Sequence, residues 1–300
     1  MKLGMVGLGR MGGNMVRRLE QEGHELRSFA ESGGGTASTL EELVGQLEAP
    51  RVVWLMIPAG DPTEATVDAL LGLLAEGDVI VDGGNSNFRD SQRRAAKAGE
   101  HGIRFLDVGV SGGVWGLEVG YCLMAGGEDE AVELVRPAFD SLAPPDGWAH
   151  VGPSGSGHYV KMIHNGIEYG LMQAYAEGFE LMHHSEFDLD LAEISGIWRY
   201  GSVVRSWLLD LLHESFAEHG SGLEDIGSYV EDSGEGRWTI TEGIERAVPT
   251  PVIAAALFAR FASRDDVNFA AKVAAALRNQ FGGHAVRAVE EAKSSPDPRS

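Results

Sequence analysis

The sequence predicts an α/β chain: a doubly wound amino-terminal domain over residues 1–155, then an all-helical domain over residues 156–300. Three observations predict it. Short apolar runs alternate with amphipathic segments through the first half. The first run passes directly into Gly7-Leu8-Gly9-Arg10-Met11-Gly12. Beyond about Pro153, apolar residues recur only at helical spacing. Three hundred residues suffice for two domains of ordinary size.

Lys2–Val6 reads as a buried strand and Asn14–Gln21 as a helix. Gly-x-Gly-x-x-Gly between a strand and a helix is the fingerprint of a dinucleotide-binding Rossmann domain, because glycines let backbone amides reach a pyrophosphate at the helix amino end. Residues 7 to 12 are therefore candidate cofactor contacts. The strand Glu25–Phe29 ends at Ala30-Glu31. An acid there accepts the ribose hydroxyls of NAD and repels the extra phosphate of NADP, so Glu31 predicts an NAD preference, with NADP possible.

Val52–Ile57 is the next strand, followed by the turn Pro58-Ala59-Gly60 and a helix from Asp61–Thr63. Val79–Val81 then delivers Asp82-Gly83-Gly84-Asn85-Ser86 to its carboxyl end, where ligands bind in such sheets. That location makes Pro58, Ala59 and Asn85 candidates for the cofactor, and Asn85 also for the substrate. Asparagine after glycines is equally a good turn residue. Arg104–Val108 leads into Ser111-Gly112-Gly113, a hydroxyl and unobstructed amides suited to a carboxylate. Tyr121–Ala125, a helix over 128–142 and a short strand near His150–Val151 complete an alternation that predicts a parallel sheet.

The second half opens with a long helix from Gly157 to His184. At about 100° per residue, Lys161, His164, Asn165, Glu168 and Tyr169 share one face, and Met162, Ile163, Gly166, Ile167 and Gly170 form a packing face. One amine, one acid, one imidazole, one amide and one phenol suit a reactive site, since buried ionisable groups are costly unless paired or used. A Lys161–Glu168 ion pair on an ordinary amphipathic helix is the structural alternative. Further helices are expected at 189–198, 203–213, 252–263 and 269–280, with Trp198, Trp207 and Trp238 in the core. Arg260 stands on an apolar helix, Arg237 in a glycine-containing loop at 233–238, and Arg278 and His284 bracket Phe281-Gly282-Gly283. Guanidinium groups suit phosphate.

The net charge of −21 argues against nucleic acid and anionic membranes as partners, and an anionic substrate would need a local basic pocket against that field. Lysine is confined to five positions, a bias shared by proteins kept soluble in high salt and by ordinary acidic cytosolic proteins. No Cys/His cluster has metal-ligand spacing, and Cys122 is the one cysteine, so no metal site is expected. The amino terminus is not signal-like and no long apolar run occurs, so a soluble cytoplasmic protein is expected.

Taken together, Gly7–Gly12, Asp82-Gly83-Gly84-Asn85, Val110-Ser111-Gly112-Gly113 and the stretch Lys161–Tyr169 resemble the decarboxylating 6-phosphogluconate dehydrogenases over nearly the whole chain. The length resembles the short form of that family. The resemblance implies Lys161 as general base and Glu168 as general acid. It implies Ser111, Gly112, Gly113, His164 and Asn165 at the carboxylate and hydroxyls of 6-phosphogluconate, and Tyr169, Arg260, Arg278 and His284 at its phosphate. Arg278 and His284 would come from a neighbouring subunit of a homodimer or homotetramer. The loop before Trp238 is shortened and lacks the family lysine, and the NADP-type arginine after the second strand is missing. Two other readings are a β-hydroxyacid dehydrogenase acting on a small substrate without decarboxylation and a cofactor-binding sensor.

Overall fold

The computed structural model describes residues 1–265 and 268–282 of the chain. It falls into two compact units, Met1–Asn165 and a second beginning at Gly166. The first holds seven strands: β1 Lys2–Val6, β2 Glu25–Phe29, β3 Val52–Leu55, β4 Val79–Asp82, β5 Arg104–Ser111, β6 Cys122–Gly126 and β7 Trp148–Gly152. They form one sheet in the order β2-β1-β3-β4-β5-β6-β7. Helices α1 Arg10–Gln21, α2 Leu40–Gly45, α3 Asp61–Leu71, α4 Phe88–Glu100, the single turn α5 Gly116–Val119 and α6 Asp129–Leu142 connect them.

Strand alternation sorts the side chains into two cores. Leu3, Met5, Trp54, Val79, Val81, Leu106 and Val108 enter one with α1 and α6 residues. Val6, Val53, Leu55, Ile80 and Phe105 enter the other with α2 and α3 residues. A sheet covered on both faces explains why its strands read as continuous apolar runs.

The sheet is not parallel throughout, as the alternation suggested. β2, β1, β3, β4 and β5 are parallel, but β6 runs antiparallel to β5, with Ser111 opposite Cys122. A parallel crossover needs a dozen or more residues. The connection between these strands is shorter and holds only one 3₁₀ turn and α5, so it reverses the chain.

Helix α7, Ser156–His183, begins in the first unit and continues into the second. The second unit adds α8 Leu191–Trp198, α9 Trp207–His219, α10 Glu235–Glu245, α11 Pro251–Ala262 and α12 Phe269–Gly282. Its cores gather Phe179, Leu191, Leu209 and Phe216, and separately Tyr169, Ala256 and Leu257. Three expectations need correction. Residues 235–238 are the first turn of α10 rather than a loop, because Gly234 takes φ 101° as its cap and Gly236 lets the Tyr169 ring lie against the helix. Trp207 is 46% exposed, standing first in α9 after the Ser206 cap instead of in the core. Ile167, assigned to the packing face of α7, is 54% exposed, whereas Gly166 and Gly170 do pack, on Thr239 and Val252.

One ion network sits under the loops at the sheet's carboxyl edge. The Arg94 guanidinium, 1% exposed, donates to Asp82 Oδ2 at 3.3 Å, Glu64 Oε2 at 3.0 Å and the Gly60 carbonyl at 3.3 Å. Burial pushes the Glu64 carboxyl up, and hydrogen bonds from Arg93 and Arg94 more than reverse it. Removing one partner of a buried pair strands the other's charge. Arg94→Met is expected to lower unfolding free energy by about 3–5 kcal/mol in urea titration. A loss below about 1 kcal/mol would mean that water already satisfies the network.

Candidate active site

The turn after β1 depends on two glycines for its shape and a third for access. Gly7 has φ 96°, and a Cβ there would overlap the Met56 carbonyl oxygen. A Cβ on Gly12 would overlap the Gly7 carbonyl, so helix and strand meet backbone to backbone. Gly9, the cap of α1, has nothing within 4 Å of its Cβ direction and is exposed, as is Arg10. Leu8 and Met11 pack against the core beneath. No acid stands in the first turn of α1. Free amides at a helix amino end with an open approach fit the pyrophosphate of a dinucleotide.

Three more elements reach the same edge, because β1, β2, β3 and β4 are parallel. Glu31 lies in an exposed turn two residues past the end of β2. Pro58 and Ala59 follow β3, and the Pro58 carbonyl accepts a bond from Thr63 Oγ1 at 2.8 Å. The turn carrying Asn85 is braced by Asp82, whose carboxylate accepts from Gly84 N at 3.1 Å and Ser86 Oγ at 2.8 Å.

Lys161 is placed by the way α7 meets the sheet. A Cβ on Gly109 of β5 would overlap Lys161 Cβ and come within 2.9 Å of the Gly157 carbonyl. A Cβ on Gly157 would overlap the Asp107 and Met124 carbonyls. The buried Asp107 carboxylate closes the junction by accepting from Gly155 N at 2.6 Å and His158 N at 2.8 Å. Burial pushes this carboxyl above the usual carboxylate range, and His158 and the two amides offset only part of the rise. One turn further on, His164 Nε2 lies 3.3 Å from Ser111 Oγ, and Nδ1 is 2.8 Å from Asn165 Oδ1. The amide oxygen takes the Nδ1 proton, leaving Nε2 to accept from the serine in the neutral ring. Ser111 ends β5, and Gly112 and Gly113 follow at φ 132° and 53°, with open space beside Gly113. Lys161, Ser111, Gly112, Gly113, His164 and Asn165 thus come together at the carboxyl end of β5.

In the second unit, Glu168 is half-buried on α7 and Tyr169 is 4% exposed. The Arg260 guanidinium stacks 3.6 Å from the centre of the Tyr169 ring. Arg237 does not point freely to a ligand: Asp232 accepts both Nε at 2.8 Å and Nη2 at 3.0 Å. Arg278 is exposed on α12, and His284 lies outside the described residues. Among the described residues, no group of three or more His, Cys, Asp or Glu is disposed to hold a metal, and no helix is long and apolar enough to cross a membrane.

Comparison with known proteins fits this geometry. Residues 2–152 match the NAD-binding domain of 6-phosphogluconate dehydrogenase, and residues 157–295 match the C-terminal domain of the same enzyme. The chain belongs to the 6-phosphogluconate dehydrogenase family. Within that family, a Haloferax volcanii protein described as NAD(+)-dependent and decarboxylating is 46% identical over 297 residues, covering 95% of this chain and 98% of its own. A decarboxylating 6-phosphogluconate dehydrogenase of Lactococcus lactis is 36% identical, covering 97% of this chain and 68% of its own. The solved structure of the Plasmodium falciparum 6-phosphogluconate dehydrogenase has a TM-score of 0.76 at 28% identity, over 96% of this chain and 66% of that one. The chain thus spans nearly the whole length of the Haloferax volcanii relative and about two thirds of the Lactococcus lactis and Plasmodium falciparum chains. A Mycobacterium tuberculosis 3-hydroxyisobutyrate dehydrogenase, at TM-score 0.69 and 22% identity over 87% of this chain and 94% of its own, shares the fold.

Sequence reasoning passed over Asp82 as a brace, and over Asp107, Gly109 and Asp232 altogether. Asp107 did leave a signal, since a carboxylate inside Phe105-Leu-Asp-Val-Gly-Val110 interrupts an apolar run. Gly109→Ala tests the seating of Lys161. The added methyl has backbone and Cβ in its way, so the helix must lift, and misplacement of about 1 Å costs on the order of 10²-fold in turnover. An unchanged kcat in a variant that melts like the parent would show that the strand does not set the lysine's position.

Proposed function

We propose that this chain oxidises and decarboxylates 6-phospho-D-gluconate to ribulose 5-phosphate and carbon dioxide, with NAD preferred as oxidant. The observation that carries the reading is α7. It fixes Lys161 against the carboxyl end of β5 and carries Glu168 and Tyr169 on the same helix face two turns later.

NAD, when bound, accepts the hydride released from the substrate's secondary alcohol. Gly7 to Gly12 would hold its pyrophosphate, Glu31 its ribose hydroxyls, and Pro58, Ala59 and Asn85 its remaining length. The neutral Lys161 amine takes the proton of the alcohol as that carbon is oxidised. The resulting ammonium, with His164 and Asn165, then stabilises the oxygen that gains negative charge as carbon dioxide leaves. Glu168 returns a proton to the carbon that bore the carboxylate. Ser111 and the Gly112 and Gly113 amides hold the carboxylate beforehand, and Tyr169 and Arg260 hold the phosphate.

The helical unit leaves Leu181, Ile197, Val203, Phe258 and Phe269 more than half exposed, which supports a homo-oligomer in which Arg278 and His284 complete a neighbouring site. The absence of a membrane-crossing helix among the described residues is compatible with a cytoplasmic location.

The direct test is an absorbance assay of nicotinamide reduction with 6-phosphogluconate and each cofactor, with carbon dioxide release followed in parallel. Reduction without release would reassign the chain to simple alcohol oxidation. Lys161→Ala is expected to lower kcat by about 10²–10⁴-fold, the effect of a missing acid–base group; a near-parental rate would remove the lysine from the mechanism. Arg260→Ala is expected to raise KM for 6-phosphogluconate while changing gluconate turnover little. Equal effects on both substrates would place the arginine away from the phosphate.

A further inference from the structure

Residues 230–233 form a strap in which each consecutive residue is fastened to a side chain of the Tyr169–Arg260 cluster. The Val230 carbonyl accepts from Arg264 Nε at 2.7 Å, and its amide donates to Ser263 Oγ at 3.0 Å. The Glu231 carbonyl accepts from Arg260 Nη1 at 2.7 Å. Asp232 accepts from both nitrogens of the Arg237 fork and pairs with Arg264 Nη1 at 3.0 Å. Ser233 N donates to the Tyr169 hydroxyl oxygen at 3.2 Å. Gly234, at φ 101°, then turns the chain into α10.

Asp232 is the one charged anchor on this strap whose partners are two arginines, and its side chain is only 6% exposed. Its carboxyl is held at about 2, first by the Arg237 hydrogen bond and then by Arg264, so it is ionised at neutral pH. The two guanidiniums it gathers lie over Phe261, at 4.4 and 5.7 Å from the ring centre. Arg260 and the tyrosine hydroxyl take their positions from the neighbouring strap atoms instead.

We propose that Asp232 is a positioning residue for phosphate recognition. By clamping Arg237 and Arg264 it fixes the strap, and the strap fixes the Arg260 fork and the Tyr169 hydroxyl in the arrangement that selects a phosphorylated sugar acid. This rests on the reading that Tyr169 and Arg260 meet the phosphate. The clamp touches no reacting group, so its loss acts on binding of one end of the substrate and leaves the chemical step alone.

The test is Asp232→Asn, assayed with 6-phosphogluconate and with gluconate at neutral pH. The expected result is a KM for 6-phosphogluconate raised about tenfold, with kcat within about twofold and kcat/KM for gluconate unchanged, the pattern of lost uniform binding. Asp232→Glu, which keeps the charge, is expected to recover part of the loss. Arg237→Gln, on an exposed side chain, removes one arm of the clamp and should raise the same KM by a smaller factor, which covers the case of an Asp232→Asn protein that does not fold. An unchanged KM would overturn the inference. So would a lowered one, which would mean that freed arginines bind phosphate better than the clamped arrangement does. Arg260→Ala separates the two levels: if it loses phosphate selectivity while Asp232→Asn does not, only the strap is refuted. If Arg260→Ala leaves the selectivity for the phosphorylated substrate intact, the phosphate reading falls first.

Discussion

The close approach of α7 to the sheet is the constraint on which the placement of Lys161 depends. Three glycines permit it: Gly109 beneath Lys161, Gly157 over the Asp107 and Met124 carbonyls, and Gly126, whose Cβ would lie 2.6 Å from Gly157 N. Any side chain at these positions would push the helix outward. The contact buries amides at the entry to α7, which need acceptors, and the Asp107 carboxylate accepts from Gly155 just before the helix and from His158 in its first turn. Negative charge at a helix amino end is also favoured by the helix dipole. Burial pushing that carboxyl up and the amides drawing it down are two sides of the same junction. Lys161 is therefore positioned by the strand glycine beneath it and by the carboxylate that holds the start of its helix.

Asp82 and Asp107 are register partners on neighbouring strands β4 and β5. Both are fully buried, and Asp82 is among the charges that push the Asp107 carboxyl up. The sheet tolerates adjacent acids because each serves a different neighbour. Asp82 meets the Arg94 guanidinium and braces the Asn85 turn; Asp107 caps α7. Arg94 also reaches Gly60, so the turn after β3 and the turn after β4 are tied through one buried cation. The turns after β3 and β4 and the start of α7 are thus fixed from below by two carboxylates in the same row.

What the sequence revealed was chiefly local. The Gly7–Gly12 turn could be read because its function resides in consecutive backbone atoms, and the α7 constellation because one helical period relates its members. The antiparallel β6 was hidden, since an apolar strand carries no mark of its direction; only the length of the preceding connection does. Residues 235–238 read as a loop because glycine disfavours helix interiors, whereas Gly236 is helical to make room for the Tyr169 ring. Arg94 stands in Ser91-Gln-Arg-Arg-Ala-Ala-Lys97, which looks like any solvated helix face until Asp82, twelve residues away, is placed beside it. Asp232 and Arg264, thirty-two residues apart, show the same limit. Pairings between distant residues create the supports, and single residues carry no trace of them.

The charge distribution follows from the same division of labour. A chain of net charge −21 repels an anionic sugar phosphate at long range. At physiological ionic strength that field decays over about 8 Å, whereas a guanidinium at contact is screened far less. Recognition as proposed therefore depends on a few arginines held in place, not on overall basicity. Holding them is the difficulty, because Arg237, Arg260 and Arg264 repel one another and each carries a flexible stem. The Asp232 carboxylate, the strap carbonyls and the aromatic faces of Tyr169 and Phe261 supply that restraint. On the proposed reading, a lone acid among arginines serves phosphate binding although its own charge opposes the phosphate, because its bonds to Arg237 and Arg264 tie down the segment whose Glu231 carbonyl accepts from Arg260.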